Sequence, residues 1–213
     1  LLIWFGGIRM IKDWDTFLLP YSQAVSELKV KLRGMRTQFL KNGEESPIEF
    51  VTGRVKPVES IKEKMVRRQV LEERIEQDMQ DIAGVRVMCQ FVEDIYEVVD
   101  LIRKRTDMTV IEERDYVENE KPSGYRSYHI VVEYPVQMMN GQKKILAEIQ
   151  VRTLEMNFWA TIEHSLNYKF DGEFPKELRT RLQKASVKSY ELDKEMSEIR
   201  KQILLAQKEQ KDV

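Results

Sequence analysis

The chain has 213 residues, 42% of them hydrophobic, and 35 basic against 36 acidic side chains leave a formal net charge of −1. That length can bury one good core, and the balance of charge excludes a global field directed at a nucleic acid or a membrane, so any anion site must be local. A single cysteine, Cys89, excludes a disulfide framework and a cysteine-based zinc site, and no stretch approaches the ~20 apolar residues of a membrane span. A reducing cytoplasm is the expected compartment.

The opening LLIWFGGIRM is too short for a signal peptide and carries no cleavage pattern. Residues 1–9 are therefore read as an upstream or non-native extension, and 10–213 as a single domain starting at Met10. From Ile11 to about Leu40, Val25, Leu28, Leu32, Met35 and Phe39 form a helical stripe, with Pro20 either kinking the helix or opening a second one. IEFVTGRVKP alternates as a first strand, Pro57 opens a helix to about Gln69, and IAGVRVMCQF after Asp81 is a second strand. Glu93 to Lys104 reads as a helix, MTVIEERDYV as a third strand, and Glu118 to Gly124 as an exposed loop. Tyr125 to Pro135 and Lys144 to Thr153 are two strands whose Asn140-Gly141 predicts an antiparallel hairpin. A helix follows from Leu154 to about Phe170. A long charged helix then fills Lys176 to Lys211, where Leu178, Leu182, Ala185, Leu192, Met196, Ile199 and Ile203 make a seam for another helix. The expected fold is α+β, a five-stranded mixed sheet that is largely antiparallel, flanked by helices with long ones at both termini.

Residues two apart on a strand share a face. Thr52, Arg54 and Lys56 thus form a polar side of the first strand, Arg86, Met88 and Gln90 oppose an apolar set on the second, and Leu146, Glu148, Gln150 and Arg152 do so on the last. Ser60, Lys64 and Arg67, at i, i+4 and i+7, project from one side of the neighbouring helix. Taken singly each of these reads as a solvated or salt-bridged surface residue; together they suit a polyphosphate, which arginine forks and lysine charges bind. Carboxylates among such cations repel the ligand unless a divalent metal lies between, and Asp81 and Glu148 are the natural pair for Mg²⁺. His164 reads as a packing histidine, and two histidines do not make a metal centre.

The blocks GRVKPVESIKEKM, DIAGVRVMCQF, GYRSYH and AEIQVRTLEMNFWATIEHSLNYK occur in the order and spacing of the synthetase domain of the RelA/SpoT family, which the chain closely resembles from about Ile11 to its C-terminus. With no hydrolase-type domain before it and no regulatory domain after, it looks like a stand-alone small alarmone synthetase. The resemblance implies transfer of the β,γ-pyrophosphate of ATP to the 3′-hydroxyl of GTP or GDP. Carried over residue by residue, Arg54, Lys56, Lys64 and Arg67 would hold the ATP phosphates, with Ser60 nearby in the ATP site, and Arg86 would stack on adenine. Asp81 and Glu148 would bind Mg²⁺, Glu148 also serving as general base. Tyr125 would stack on guanine, Asn157 would read its edge, Arg114 and Lys121 would lie near its phosphates, and Gln150, His129 and Glu163 would line that pocket.

Lys29, Arg33 and Arg36 add a basic stripe on the first helix, by default a solvated face. The resemblance implies a homotetramer formed through the terminal helices, 176–211 included. It also maps Lys29, Arg33, Arg36, Glu49 and Thr52 onto a cleft that in some relatives binds pppGpp or ppGpp as an allosteric activator. An RNA contact at the stripe is a further reading. Two alternatives for the whole chain stay open here: an RNA-binding regulatory module, and a different Mg²⁺-dependent nucleotidyltransferase.

Overall fold

The computed structural model describes residues 11–168, 170, 172 and 174–211, so the reading of residues 1–9 lies outside them. A single helix, α1 (Trp14–Lys41), opens the fold, with the Asp13 carboxylate accepting from the Thr16 N–H at 3.1 Å as its N-cap. Pro20 lies inside α1 and does not start a second helix. Then come β1 (Phe50–Val55), α2 (Val58–Arg68), a 3₁₀ turn at Glu72–Arg74, α3 (Ile75–Asp78), β2 (Ala83–Cys89), α4 (Val92–Arg103) and β3 (Thr109–Asp115). β4 (Tyr128–Met138), β5 (Gly141–Thr153), α5 (Leu154–Tyr168) and α6 (Lys176–Lys211) complete it.

The five strands lie in the order β1-β2-β5-β4-β3, antiparallel throughout except for the parallel β2/β5 pair. The predicted hairpin joins β4 to β5, with Met138 opposite Gly141. One sheet face carries Val51, Val85, Val87, Ile149, Val151, Ile130 and Val132, and α1 and α4 bury it with Leu28, Leu32, Ile95, Val98 and Ile102, all at most 2% exposed. Closing this face removes most of the apolar surface from water, at about 25 cal/mol per Å², and leaves the other face free for polar groups.

Three expectations need correction. β4 begins at Tyr128, not Tyr125, because residues 121–125 close on themselves: Lys121 N–H reaches the Tyr125 carbonyl at 3.1 Å and Gly124 N–H the Lys121 carbonyl at 2.7 Å. Gly124, at φ +92°, takes a backbone conformation that side chains disfavour, and it is buried within a loop expected to be exposed. α6 presents two sides: Ser186, Asp193 and Ser197 are at most 5% exposed, while the expected seam at Leu178, Leu192, Met196, Ile199 and Ile203 faces outward, where a further helix can meet it. His164, read as a packing residue, is exposed on α5.

Candidate active site

Sheet register assembles the site. Across the polar face, Thr52 lies opposite Arg86, Arg86 beside Gln150, Gln150 opposite His129, and His129 opposite Arg114. The next row runs Arg54, Gly84, Glu148, Val131 and Glu112. Gly84 has no side chain between Arg54 and Glu148. The resulting cavity, of about 170 Å³, is lined by Thr52, Arg54, Lys56, Asp81, Arg86, Glu148 and Gln150, together with Gly53, Gly84 and Val85.

At one end of this cavity charges gather around Asp81. Lys56 Nζ lies 3.0 Å from Asp81 Oδ2 and Lys64 Nζ lies 2.7 Å from Oδ1, so α2 is tied to the loop before β2 by two cations on one carboxylate. Burial opposes the charge on Asp81, but Lys64 and Lys56 outweigh it and hold the acid below its ordinary range. Burial lowers the Lys64 pKa, only partly offset by Asp81. Burial, then the neighbouring Arg152 and Arg54, also lowers the pKa of Arg86. Among the described residues no carboxylate lies within ion-pairing distance of Arg54, Arg86 or Arg152. Glu148 acts on Arg86 from a distance but does not offset burial and the other two arginines, so the crowded cations repel one another and are relieved by an anion.

The other end is already connected. Arg152, 3% exposed, donates from Nη2 to the Tyr125 hydroxyl at 2.5 Å and to Gln150 Oε1 at 2.6 Å. Tyr125 Oη is 2.8 Å from His129 Nε2, and His129 Nδ1 is 3.1 Å from Glu148 Oε1. Burial pushes the Tyr125 phenol up and the His129 pKa down, so the phenol keeps its proton and the imidazole is neutral. One assignment satisfies the chain: Tyr125 donates to Nε2, and Nδ1–H donates to the carboxylate. Gln150 Nε2 donates to the second oxygen, Oε2, at 2.6 Å. Burial of Glu148 would raise its pKa, yet the bonds from His129 and Gln150 more than offset this and keep it ionised. Glu148 is thus a buried carboxylate whose two oxygens are both oriented.

Arg114 bonds Glu112 at 2.6 Å and Gln80, with Nη1 3.8 Å from Glu148. Lys121 Nζ stands 4.5 Å from the Tyr116 ring centre and 4.8 Å from that of Tyr125, at the mouth of the same cluster.

Several predicted residues lie apart. Ser60 and Arg67 are on α2 but outside the cavity lining, with Arg67 exposed. Asn157 and Glu163 are on α5, also outside it, and Glu163 accepts from Asn167 at 2.5 Å. On α1, Arg33 donates to the Val51 carbonyl and Arg36 to the Ile48 carbonyl, both at 3.0 Å, so the basic stripe partly docks α1 on the edge strand β1. Lys29 runs beside Gly53, and Glu49 accepts from Gln90 at 2.8 Å. Arg152 was placed on the correct face by alternation but given no role; the signal was its position two residues beyond Gln150. Tyr116, which packs edge-on against His129 at 5.2 Å, gave no sequence signal.

The pair Asp81 and Glu148 lines one cavity beside uncompensated cations, which fits Mg²⁺ held by one or two carboxylates and completed by phosphate oxygens. No cluster of three or more potential ligands is found among the described residues, so a closed metal cage is not what these side chains offer.

Residues 53–173 match the family described as a region found in RelA/SpoT proteins. The GTP pyrophosphokinase YjbM of Bacillus subtilis is 58% identical over 196 residues, 92% of each chain. A solved GTP pyrophosphokinase family protein from Streptococcus pneumoniae superposes with a TM-score of 0.87 at 62% identity, covering 93% of this chain and 98% of that one. The small alarmone synthetase 1 of Bacillus subtilis bound to its product pppGpp gives 0.86 at 58% identity over 89% of this chain and 97% of its own.

Proposed function

The chain belongs to the RelA/SpoT family, and from that premise we propose that it transfers the β,γ-pyrophosphate of ATP to the 3′-hydroxyl of GTP or GDP, making pppGpp or ppGpp and AMP. The observation that carries this reading is the join, on one sheet face, of an uncompensated cation cluster to a buried, oriented carboxylate. Phosphoryl-type transfer asks a protein mainly for positioning and charge neutralisation, which is what such a face supplies.

In the proposed reaction Arg54, Lys56 and Lys64 hold the ATP phosphates and Arg86 packs against adenine, with Ser60 and Arg67 reaching the same nucleotide from α2. Tyr125 stacks on guanine, and Arg114, Lys121, His129 and Gln150 surround the acceptor. Asn157 and Glu163 join them only if α5 residues turn toward the ligand. The 3′-oxygen attacks the β-phosphorus, the bond from that phosphorus to the α,β-bridging oxygen breaks, AMP leaves, and the hydroxyl proton passes to Glu148. A low carboxylate pKa makes Glu148 a weak base, so its contribution is geometric: both oxygens are fixed before the acceptor arrives. Asp81 and Glu148 would hold Mg²⁺, which neutralises phosphate charge when bound.

Further proposals rest on the surface. The outward seam of α6 and the exposed stripe Leu154, Phe158, Ile162 and Leu166 on α5 support assembly through the terminal helices, a homotetramer being the form proposed. Lys29, Arg33, Arg36, Glu49 and Thr52 are proposed to receive pppGpp or ppGpp as activator. Replacing Lys29 and Arg36 by alanine is expected to abolish the response of the rate to added pppGpp; an unchanged response would discard this site, and a response to RNA instead would assign the stripe to RNA. The single cysteine is buried, and no helix among the described residues is long and apolar enough to cross a membrane; a reducing cytoplasm is proposed.

The test is incubation with ATP, Mg²⁺ and GDP or GTP followed by separation of nucleotides. AMP and a guanine nucleotide carrying a 3′-pyrophosphate are expected in equal amounts. Their absence, or RNA binding without turnover, would overturn the reading.

A further inference from the structure

The loop that carries Lys121 and Tyr125 is held from two sides: Arg152 and His129 of the sheet meet the Tyr125 hydroxyl, and α6 meets the loop backbone. Gly124 meets that helix so closely that a Cβ there would lie 2.7 Å from Ser186 Cβ, and the Ser186 hydroxyl, on a residue 5% exposed, donates to the Gly124 carbonyl. Two residues on, the Arg126 guanidinium sits over a ring of α6, its centre 3.8 Å from the middle of the Tyr190 ring. Arg126 also reaches the Val117 carbonyl and pairs with Glu120 at 2.9 Å, so both arms of the loop are gathered on one arginine. Nearby, Trp159 Nε1 donates to the Leu182 carbonyl at 3.0 Å and Thr153 to Asp193 at 2.5 Å, fixing α6 against the end of β5 and α5.

We infer that Ser186 and Tyr190 of α6 are positioning residues for the acceptor nucleotide: they set the height and tilt of the 118–126 loop, and through it the Tyr125 ring, on the far side of that loop from the reacting groups. The inference rests on the reading that Tyr125 receives the guanine base. It also gives α6 two jobs, a polar inner face that seats the acceptor loop and an apolar outer seam about a quarter-turn round the helix from it. Nothing in the alternation or spacing of the sequence links Ser186 to Gly124, which are 62 residues apart.

The experiment compares Tyr190→Ala, Tyr190→Phe and Arg126→Lys with the parent, in the full chain, by steady-state kinetics and amide hydrogen exchange. Tyr190→Ala is expected to raise the KM for the guanine nucleotide about tenfold while the KM for ATP stays within twofold, in line with loss of a partly desolvated cation–π stack. Tyr190→Phe keeps the ring under Arg126 and should restore the parent KM. Arg126→Lys, which keeps the charge but loses the planar stack, should match Tyr190→Ala, and the double variant should be no worse than either single one. Exchange of the amides of 118–126 should quicken in Tyr190→Ala and not in Tyr190→Phe. Equal rises in both KM values, or unchanged exchange, would overturn the inference, leaving the acceptor role of Tyr125 intact if Tyr125→Ala still acts selectively. A Tyr125→Ala variant without selective effect would overturn both together.

Discussion

The two ends of the site are built differently. Around Asp81 the groups are long, charged and crowded: Lys56 and Lys64 share one carboxylate, while Arg54 and Arg86 have none within reach among the described residues. Around Glu148 they are largely buried and joined one to the next, from Arg152 through Tyr125 and His129 to the carboxylate. The first end is an arrangement of charge that becomes favourable only when an anion enters. The second is complete without a ligand, so a substrate finds its base and its stacking surface already oriented. A polyphosphate can be met by flexible cations, but a hydroxyl attacking phosphorus needs a fixed partner.

The strongest way to break that contrast is Glu148→Gln, which keeps the shape and removes the proton acceptor. Turnover should fall by about 10³-fold or more, with the melting temperature within a few degrees of the parent. Retained turnover in a quenched single-turnover assay would remove Glu148 from the chemistry.

Arg152→Met comes next. It deletes the bonds that hold Tyr125 and Gln150 while leaving the cavity wall, and should cost about tenfold in kcat/KM for the guanine nucleotide with little change in the KM for ATP. Losses shared equally between the two substrates would mean that Arg152 serves the phosphates directly.

Acid provides a graded test of the connected end. His129 is buried and its pKa is lowered from 6.5, so it is neutral in the folded protein, and the unfolded chain takes up that proton first as pH falls below 6.5. The histidine's contribution is therefore a loss of stability on acidification, together with loss of its ability to accept from Tyr125. His129→Gln should flatten the part of the pH profile that lies below 6.5, measured by thermal melts and by kcat/KM.

Asp193 offers the smallest effect and lies outside both ends. Burial pushes its carboxyl up to about 6 against the bond from Thr153, so in the folded protein the acid is charged at pH 7.5 at a cost. A raised acid pKa lowers stability as pH climbs from 3.8 through about 6, and Asp193→Asn should raise the melting temperature by a few degrees at pH 7.5 and by less at pH 5. An unchanged melting temperature at both values would mean the charge is already compensated.

The sheet was legible from the sequence because alternation and the Asn140-Gly141 turn are local signals, and the same alternation put Arg54, Arg86, Glu148 and Gln150 on one face. What was not legible is how that face is connected. Arg152 carried the right parity, but its bond to Tyr125 depends on a loop that folds back on itself, and the strand start was misplaced at Tyr125 for the same reason. The 3.5-residue repeat located the seam of α6 correctly as a stripe, yet periodicity cannot say which stripe meets the rest of the chain. The polar one does, through Ser186, Asp193 and Ser197, because it is met there by a carbonyl, a hydroxyl and the Val92 N–H. Asn157 and Glu163 were assigned by resemblance alone, and in the fold they stand outside the cavity lining.

The contrast between the ends is tested most directly by the two KM values of Tyr125→Ala. Removing the stacking ring should raise the KM for GTP or GDP at least about tenfold, as expected for one lost base–aromatic stack, while the KM for ATP stays within twofold. Equal rises for both nucleotides would contradict a separate, prebuilt acceptor end.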